Sequence, residues 1–469
     1  MLQISKVVHS LKKTPFRLVL VMLAVNWIVP CAFGDVGLNT LFSFNTITNG
    51  GQPAAGLVQG PDGAFYGTAE IGGSGNNGTV FRITPAGAFT NLLSFTGTNG
   101  PYLGANPAAN LVWGTNGNLY GTTSAGGTNN SGTIFEMTTN GAFTNLVSFT
   151  GTNGAVLGIY PNGLVQGRDG NFYGTTQSGG TNDISSGGDG TIFRVTPAGA
   201  LTTLFCFNNI NGANPYAGVV QGTNGNFFGT TQAGGSNSLG TIFEVTTNGV
   251  LTNLISFNTT NGANPQAGLV QGGDGNFYGT TYFGGSADAG TVFKITPAGA
   301  FTPLSSFSNT NGANPFASLV QGADGNFYGT TQLGGTNNNG TAFEISPAGA
   351  LTTLVSFGGA TNNSYPLAGL ALGADGYFYG TTAFGGSYQQ GTVFRFPPPP
   401  NFLSWKQASG ALTFTWSAAV GQTYQVQFKT NLNQTIWNNL VTNTATSSTS
   451  TNSDTMGPDR QRFYRVSLP

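Results

Sequence analysis

The residues able to do chemistry are few, and most of them stand where a turn needs them. Asp62, Asp169, Asp274, Asp324 and Asp375 each precede a glycine. Asp-Gly favours tight hairpin turns because both residues tolerate positive φ, so these five acids are read as conformational. Glu70, Asp183, Asp189 and Asp288 lie in longer stretches between strand-like segments. Glycoside cleavage needs two carboxyl groups about 5–10 Å apart, and these four are spread over three stretches of sequence. Asp183 and Asp189, with Ser185 and Gly187-Gly188 between them, offer oxygen ligands for calcium, against the plainer reading of an insertion loop. The single histidine, His9, lies in the first 34 residues. Without it, Ser-His and Cys-His nucleophiles and histidine zinc sites are excluded from the rest of the chain. No cofactor is expected. Cys206 takes the place held by Ser94, Ser148, Ser256, Ser306 and Ser356 in related segments, so it reads as a small strand residue rather than a nucleophile.

Two positions vary where their surroundings hardly do. One follows a recurring loop proline and is Ala54, Ala108, Asn162, Tyr216, Gln266, Phe316 and Leu367 in turn. The other follows a recurring Thr pair and is Glu70, Ser124, Gln177, Gln232, Tyr282, Gln332 and Ala383. Tyr216, Tyr282 and Phe316 beside Gln177, Gln232 and Gln332, with Glu70, suit a flat polar ligand such as a sugar ring. The alternative is free drift at loop positions.

What positions these residues is a repeat. Aromatic-Gly-Thr recurs at Tyr66, Tyr120, Tyr173, Phe228, Tyr278, Tyr328 and Tyr379, at steps of 54, 53, 55, 50, 50 and 51 residues. A period near 50 indicates propeller blades or a solenoid. One unit runs from Pro265 to Asn314. Its expected strands are Gln266–Gln271, Asn276–Thr281, Gly290–Thr296 and Phe301–Phe307, with turns at Asp274-Gly275 and Pro297-Ala298-Gly299. The seventh unit stops at Pro397 without a fourth strand, whereas Leu38–Phe44 matches the fourth strand Leu351–Phe357. The expectation is therefore an all-β, seven-bladed β-propeller over residues 35–396, closed by an N-terminal strand. Its Asp-Gly and Pro-Ala-Gly turns share one face. The longer loops share the other, which is the candidate binding face. The recurring Phe-Tyr pairs are read as packing rather than ligand platforms. The residue after Gly-Thr-x-Phe runs Arg82, Glu136, Arg194, Glu244, Lys294, Glu344 and Arg395. This alternation reads as duplication of a two-blade unit, with ion pairs between blades as the sharper alternative.

Gly-Leu-Val-Gln-Gly-x-Asp-Gly-Asn-Phe-Tyr-Gly-Thr-Thr, then Gly-Gly, then Gly-Thr-x-Phe, resembles the GloVer tandem repeat of "choice-of-anchor" secreted bacterial proteins over residues 38–396. It is similar, more loosely, to NHL-type propellers. The resemblance implies an exported propeller with a variable C-terminal anchoring segment and no assigned activity. No apolar helix follows here, a departure from the family's anchored pattern.

Residues 1–34 read as a secretory signal peptide: Lys6, Lys12, Lys13 and Arg17 precede the apolar run Leu18–Val29, and Ala32-Phe33-Gly34 supplies a small-residue cleavage site. Its removal leaves 10 Lys and Arg (14 less 4) against 15 Asp and Glu, a formal charge of −5. That balance excludes a basic stripe for nucleic acid. A mature chain without a transmembrane segment, secreted or cell-surface/periplasmic and monomeric, is expected. Residues 397–401 are a Pro-rich linker. Residues 402–469 hold Trp405, Trp416 and Trp437, and Leu412-Phe414-Trp416 and Tyr424-Val426-Phe428 alternate. They are expected to form a small β-sandwich resembling fibronectin type III or immunoglobulin-like modules. The function expected is a non-catalytic binding, adhesion or scaffold role toward polysaccharide or an envelope protein. The alternative is a polysaccharide hydrolase or lyase with carboxylates at the channel mouth.

Overall fold

A computed structural model describes residues 37–152, 154, 156–180, 187–358, 363–431, 433–455 and 462–468. The expected signal peptide and Asp183 lie outside them. The described residues divide into two compact units, one ending at Pro397 and one beginning at Pro398. Every named element among them is a β-strand, and no helix is long and apolar enough to cross a membrane.

In the larger unit each repeat folds as an antiparallel meander, and Val270–Gln271, Phe277–Thr281, Thr291–Ile295 and Phe301–Ser306 are typical. The Tyr-Gly-Thr-Thr signature has a separate task for each residue. Tyr278 is buried, and its hydroxyl donates to Asp274 Oδ2 at 2.8 Å, tying the second strand to its own hairpin turn. Gly279 faces Phe293 across the sheet. A Cβ at that position would lie 2.6 Å from Phe293 Cζ and 2.8 Å from Leu269 Cδ2, so only glycine lets the ring lie flat on the strand. The second threonine, Thr281, pairs with Thr291 Oγ1 at 2.8 Å inside the sheet. In other repeats the first threonine reaches the next one, Thr230 Oγ1 donating to Ala267 O at 2.9 Å and Thr330 Oγ1 to Ala368 O at 2.9 Å. Thr280 Oγ1, in contrast, is buried without a hydrogen-bond partner among the described residues.

The first strand is shorter than expected. Only Val270–Gln271 pair with the second strand, not the whole of Gln266–Gln271. The carbonyl of Ala267 is spent on Thr230 of the preceding repeat, which draws this stretch off its own sheet. The third sheet has five strands, because Ile159–Pro161 pairs with an extended Phe172–Ser178.

Asn39–Ser43 pairs antiparallel with Thr392–Phe396 and becomes the outer strand of the last repeat's sheet. The match extends to its irregularity. In the other sheets the third and fourth strands slip register by one residue, skipping Leu92, Leu146, Leu204, Leu254, Leu304 and Leu354. The N-terminal strand skips Leu41 in the same way. Such bulges bend and twist an outer strand.

Repeats adhere through stacked rings. Tyr120 lies against Phe172 at 4.1 Å between centroids, Tyr173 against Phe227 at 4.0 Å, Phe228 against Phe277 at 4.2 Å and Tyr278 against Phe327 at 3.9 Å. Tyr328 meets Phe378 at 4.3 Å, and Tyr379 of the last repeat meets Phe65 of the first at 4.0 Å. The first and last repeats also share Thr381 Oγ1→Ala55 O at 3.2 Å and Ala374 N→Gln59 Oε1 at 2.9 Å. These rings are buried, so the Phe-Tyr pairs pack the unit.

The alternating charges do not bridge blades in the way the sharper alternative had it. Arg82 pairs with Asp62 of its own repeat at 2.7 Å, and Arg395 stands 3.9 Å from Asp375. Where the turn residue is Asn116 or Asn224, its amide donates to Glu136 or Glu244 at 2.9 Å. The cross-strand register explains this: the charged residue lies opposite the tyrosine that holds the turn. Burial alone would raise the pKa values of Asp62, Asp169 and Asp274. Hydrogen bonds from Arg82, Asn171 and Asn276, with those from the tyrosines, outweigh it and hold all three low. Tyr120 and Tyr173 are pushed up to about 12, first by burial and then by donation to Glu136 and Asp169.

The smaller unit has two three-stranded sheets. One joins Phe402–Ala408, Ala411–Ser417 and Thr449–Thr455; the other joins Asn438–Thr444, Thr423–Lys429 and Phe463–Ser467. Leu412, Phe414 and Trp416 of the first meet Tyr424, Val426 and Tyr464 of the second in one core. Asp454 accepts from both Arg462 Nη1 and Tyr464 Oη at 2.6 Å, an almost buried link between the sheets.

Three outcomes follow from this packing. Gly279→Ala is expected to destabilise the larger unit by about 1–3 kcal/mol, as over-packing does, read as a lowered thermal midpoint. Asp454→Ala removes the acceptor shared by Arg462 and Tyr464 and is expected to cost the smaller unit about 3 kcal/mol, read from the Trp fluorescence transition. The lowered turn carboxylates contribute stability fully above the ordinary carboxylate pKa of about 4. That contribution is lost as pH falls through their native values, so an acid titration of Asp62→Asn should show a smaller loss than the parent.

Candidate functional site

The first strand of every repeat is small at its start, as in Ala55-Gly56 or Ala267-Gly268. In six of the seven repeats the first threonine holds a backbone carbonyl of this segment in the next repeat, Thr280 Oγ1 being the exception, and the side chains of these segments face a common space. That space is a cavity of about 580 Å³, lined by the corresponding segment of all seven repeats. All seven residues that follow the loop prolines line it: Ala54, Ala108, Asn162, Tyr216, Gln266, Phe316 and Leu367.

The second variable position divides. Glu70, Ser124 and Gln177 line the cavity, whereas Gln232, Tyr282, Gln332 and Ala383 are not among its lining residues. Tyr282 instead donates its hydroxyl to Gln332 Oε1 at 2.7 Å, linking neighbouring repeats, and burial raises its pKa. The expected group of seven ligand residues thus separates. Tyr216, Phe316, Gln177 and Glu70 share the cavity, while Tyr282 and Gln332 satisfy one another beside it. Phe316 touches both sets, meeting Tyr216 edge-on at 5.9 Å and Tyr282 at 6.3 Å.

Tyr160 and Asn110, outside both variable positions, also line the cavity. Tyr160 stands before Pro161 where the other repeats have Gln52, Asn106, Asn214, Asn264, Asn314 and Tyr365, and all seven adopt φ between 52° and 56°. Asparagine tolerates that conformation, but a tyrosine held there is an outlier. The Tyr160 ring is half exposed at the cavity. Tyr365, in the same place, is not among the lining residues, so a bulky residue there does not by itself mark the cavity. Asn110 stands where Gly56, Gly218 and Gly268 do, and its Oδ1 accepts from the Gly56 N–H at 2.6 Å.

The polar groups of the lining differ in what they have left to offer. Asn162 is spent, donating to Thr175 Oγ1 at 3.0 Å and Pro215 O at 2.7 Å. Ser124 Oγ donates to Asn106 O at 2.9 Å. Among the described residues, the Glu70 carboxylate and the side-chain amides of Gln177 and Gln266 enter no intramolecular hydrogen bond. Burial raises the Glu70 pKa. No group of three or more His, Cys, Asp or Glu among the described residues is placed to hold a metal ion. Of the calcium candidates, Asp183 lies outside the described residues, and the carbonyl of Asp189 accepts from Asn214 N at 2.8 Å.

The family model described as the Gloeobacter/Verrucomicrobia repeat matches residues 32–183, 157–321 and 260–455. No curated protein matches the chain. Among solved structures, a gluconolactonase from Xanthomonas campestris is similar at 13% identity, covering 78% of this chain and 91% of its own, with a TM-score of 0.40. Puromycin hydrolase is similar at 13% identity, over 82% and 62%, with a TM-score of 0.45. Luciferin-regenerating enzyme is similar at 11%, over 77% and 95%, with a TM-score of 0.39. The three overlapping family matches cover most of the sequence, and the chain belongs to the Gloeobacter/Verrucomicrobia repeat family.

Proposed function

We propose that the seven sheets close into a seven-bladed propeller, exported from the cell, which binds polysaccharide in the central cavity without cleaving it. Closure is supported by the Tyr379–Phe65 stack and the Thr381–Ala55 hydrogen bond, which repeat between last and first units the contacts made between neighbours. The observation that supports binding is the cavity's composition. Its backbone is uniform and its variable residues point inward, with the aromatic rings of Tyr216 and Phe316 on some repeats and the amides of Gln177 and Gln266 on others. Rings present faces to the apolar side of a sugar, and amides offer both donor and acceptor to its hydroxyls.

Cleavage by paired carboxylates is the weaker reading, because Glu70 is the one acid among the cavity-lining residues and acid–base glycoside cleavage uses two. Export places the cut after Gly34. The smaller unit then serves as a spacer or tether of the fibronectin or immunoglobulin kind.

A glycan array probed with the full chain should show selective binding without release of shortened products. Tyr216→Ala should weaken that binding by about tenfold or more, in line with a buried aromatic contact worth over 1 kcal/mol. An empty array, or an unchanged affinity in the variant, would remove the cavity from consideration. Intact-mass measurement of the exported protein should give a chain beginning at Asp35.

A further inference from the structure

The cavity holds one charge. Glu70 is the only ionisable acid or base of standard charge among its lining residues, and no Lys or Arg lies beside it there. Its carboxylate is half-buried, enters no hydrogen bond among the described residues, and pays for that burial with a raised pKa. A partly desolvated carboxylate without a partner is a costly group to maintain. The turn aspartates Asp62, Asp169 and Asp274 avoid the cost by taking tyrosine, asparagine or arginine donors. The remaining open groups surround a space large enough for a short oligosaccharide: the amides of Gln177 and Gln266, and the Tyr216–Phe316 ring pair.

We infer that the cavity selects oligosaccharides carrying a free amine, with an ammonium group of one sugar placed on Glu70 and a pyranose ring of the same oligosaccharide against Tyr216 and Phe316. The inference rests on the proposed polysaccharide site and adds a substrate class to it. An ammonium supplies the charge-assisted hydrogen bonds that Glu70 lacks. Acylation of the amine removes the charge and two of its three donors, so an N-acetylated sugar offers the carboxylate only neutral hydrogen bonds. A uronic acid would face it with like charge. A free amino acid side chain could satisfy Glu70 equally well. The paired rings and flanking amides nevertheless favour a hydroxylated ring over a flexible alkyl chain, since each has a partner on a pyranose.

The test is isothermal titration of the full chain with three tetrasaccharides of one linkage: glucosamine, N-acetylglucosamine and glucose. A trilysine peptide serves as the competing amine. The free-amine tetramer is expected to bind about tenfold or more tighter than the other two, the size of effect a single charge-assisted contact gives. That preference should vanish in Glu70→Gln and shrink at high salt. Glutamine stands at this position as Gln177, Gln232 and Gln332 in other repeats, so the fold accommodates it, and Glu70→Ser, after Ser124, is a second such variant. Equal affinities for the three sugars, or a preference that survives in both Glu70 variants, would overturn the inference and leave the polysaccharide site standing. Trilysine binding as tightly as the amino sugar would overturn the sugar assignment. Binding of none of the four would overturn both.

Discussion

The structure depends on ring packed over ring, face to face at a tilt of 26–35°. In six of the seven repeats the aromatic residue of the second strand stacks, at about 4 Å, on the phenylalanine that begins the same strand one repeat later. A sheet of four short strands with apolar residues on both faces is not stable alone. The stack supplies one of the missing faces and fixes the angle of approach. The seventh contact keeps the function with other atoms: Leu119 replaces the phenylalanine, and Trp113 meets Tyr66 edge-on at 5.3 Å. Glycine beside the tyrosine is a consequence, since the third-strand phenylalanine must sink into the sheet if the stack above it is to form.

Most of this was legible in the sequence because the tasks recur. Seven copies of a motif with four different chemical demands leave little freedom for drift, so strands two, three and four stand out with their turns. The N-terminal strand was legible for the same reason, down to a leucine in the place where its counterparts bulge. What was not legible depends on neighbours distant in sequence. Gln266–Gln271 alternates like a strand, yet its first half bonds to Thr230 of another repeat. Glu136 and Arg82 look like partners across an interface, but cross-strand register sends each to the turn of its own repeat. Tyr282 and Gln332 vary as ligand residues would, and turn out to satisfy one another. A variable position marks freedom from the scaffold's demands and does not say which way the side chain turns.

Scaffold and cavity are thereby kept apart. In six repeats the backbone lining the cavity is held by a threonine hydroxyl from the preceding repeat, and Asn162 is the one side chain after a loop proline seen among the described residues to join such a bond, through Thr175 Oγ1. Alanine, asparagine, tyrosine, glutamine, phenylalanine and leucine all occupy the place. The cost of a new side chain there is local, and one repeat can change its contribution while the other six keep theirs.

The last sheet is sewn from strands at opposite ends of the repeat array, and Thr40 reaches Asn363, 323 positions along the chain. Asn39–Ser43 is made first and must wait for Thr392–Phe396, and until the two pair each leaves a bare β-edge, the kind of surface that recruits stray strands. Closing such a long loop is slow compared with forming the local meanders. A nascent or truncated molecule is therefore marked for aggregation or proteolysis by the seam it has not yet fastened, and the finished one hides that mark with a segment made first and placed last.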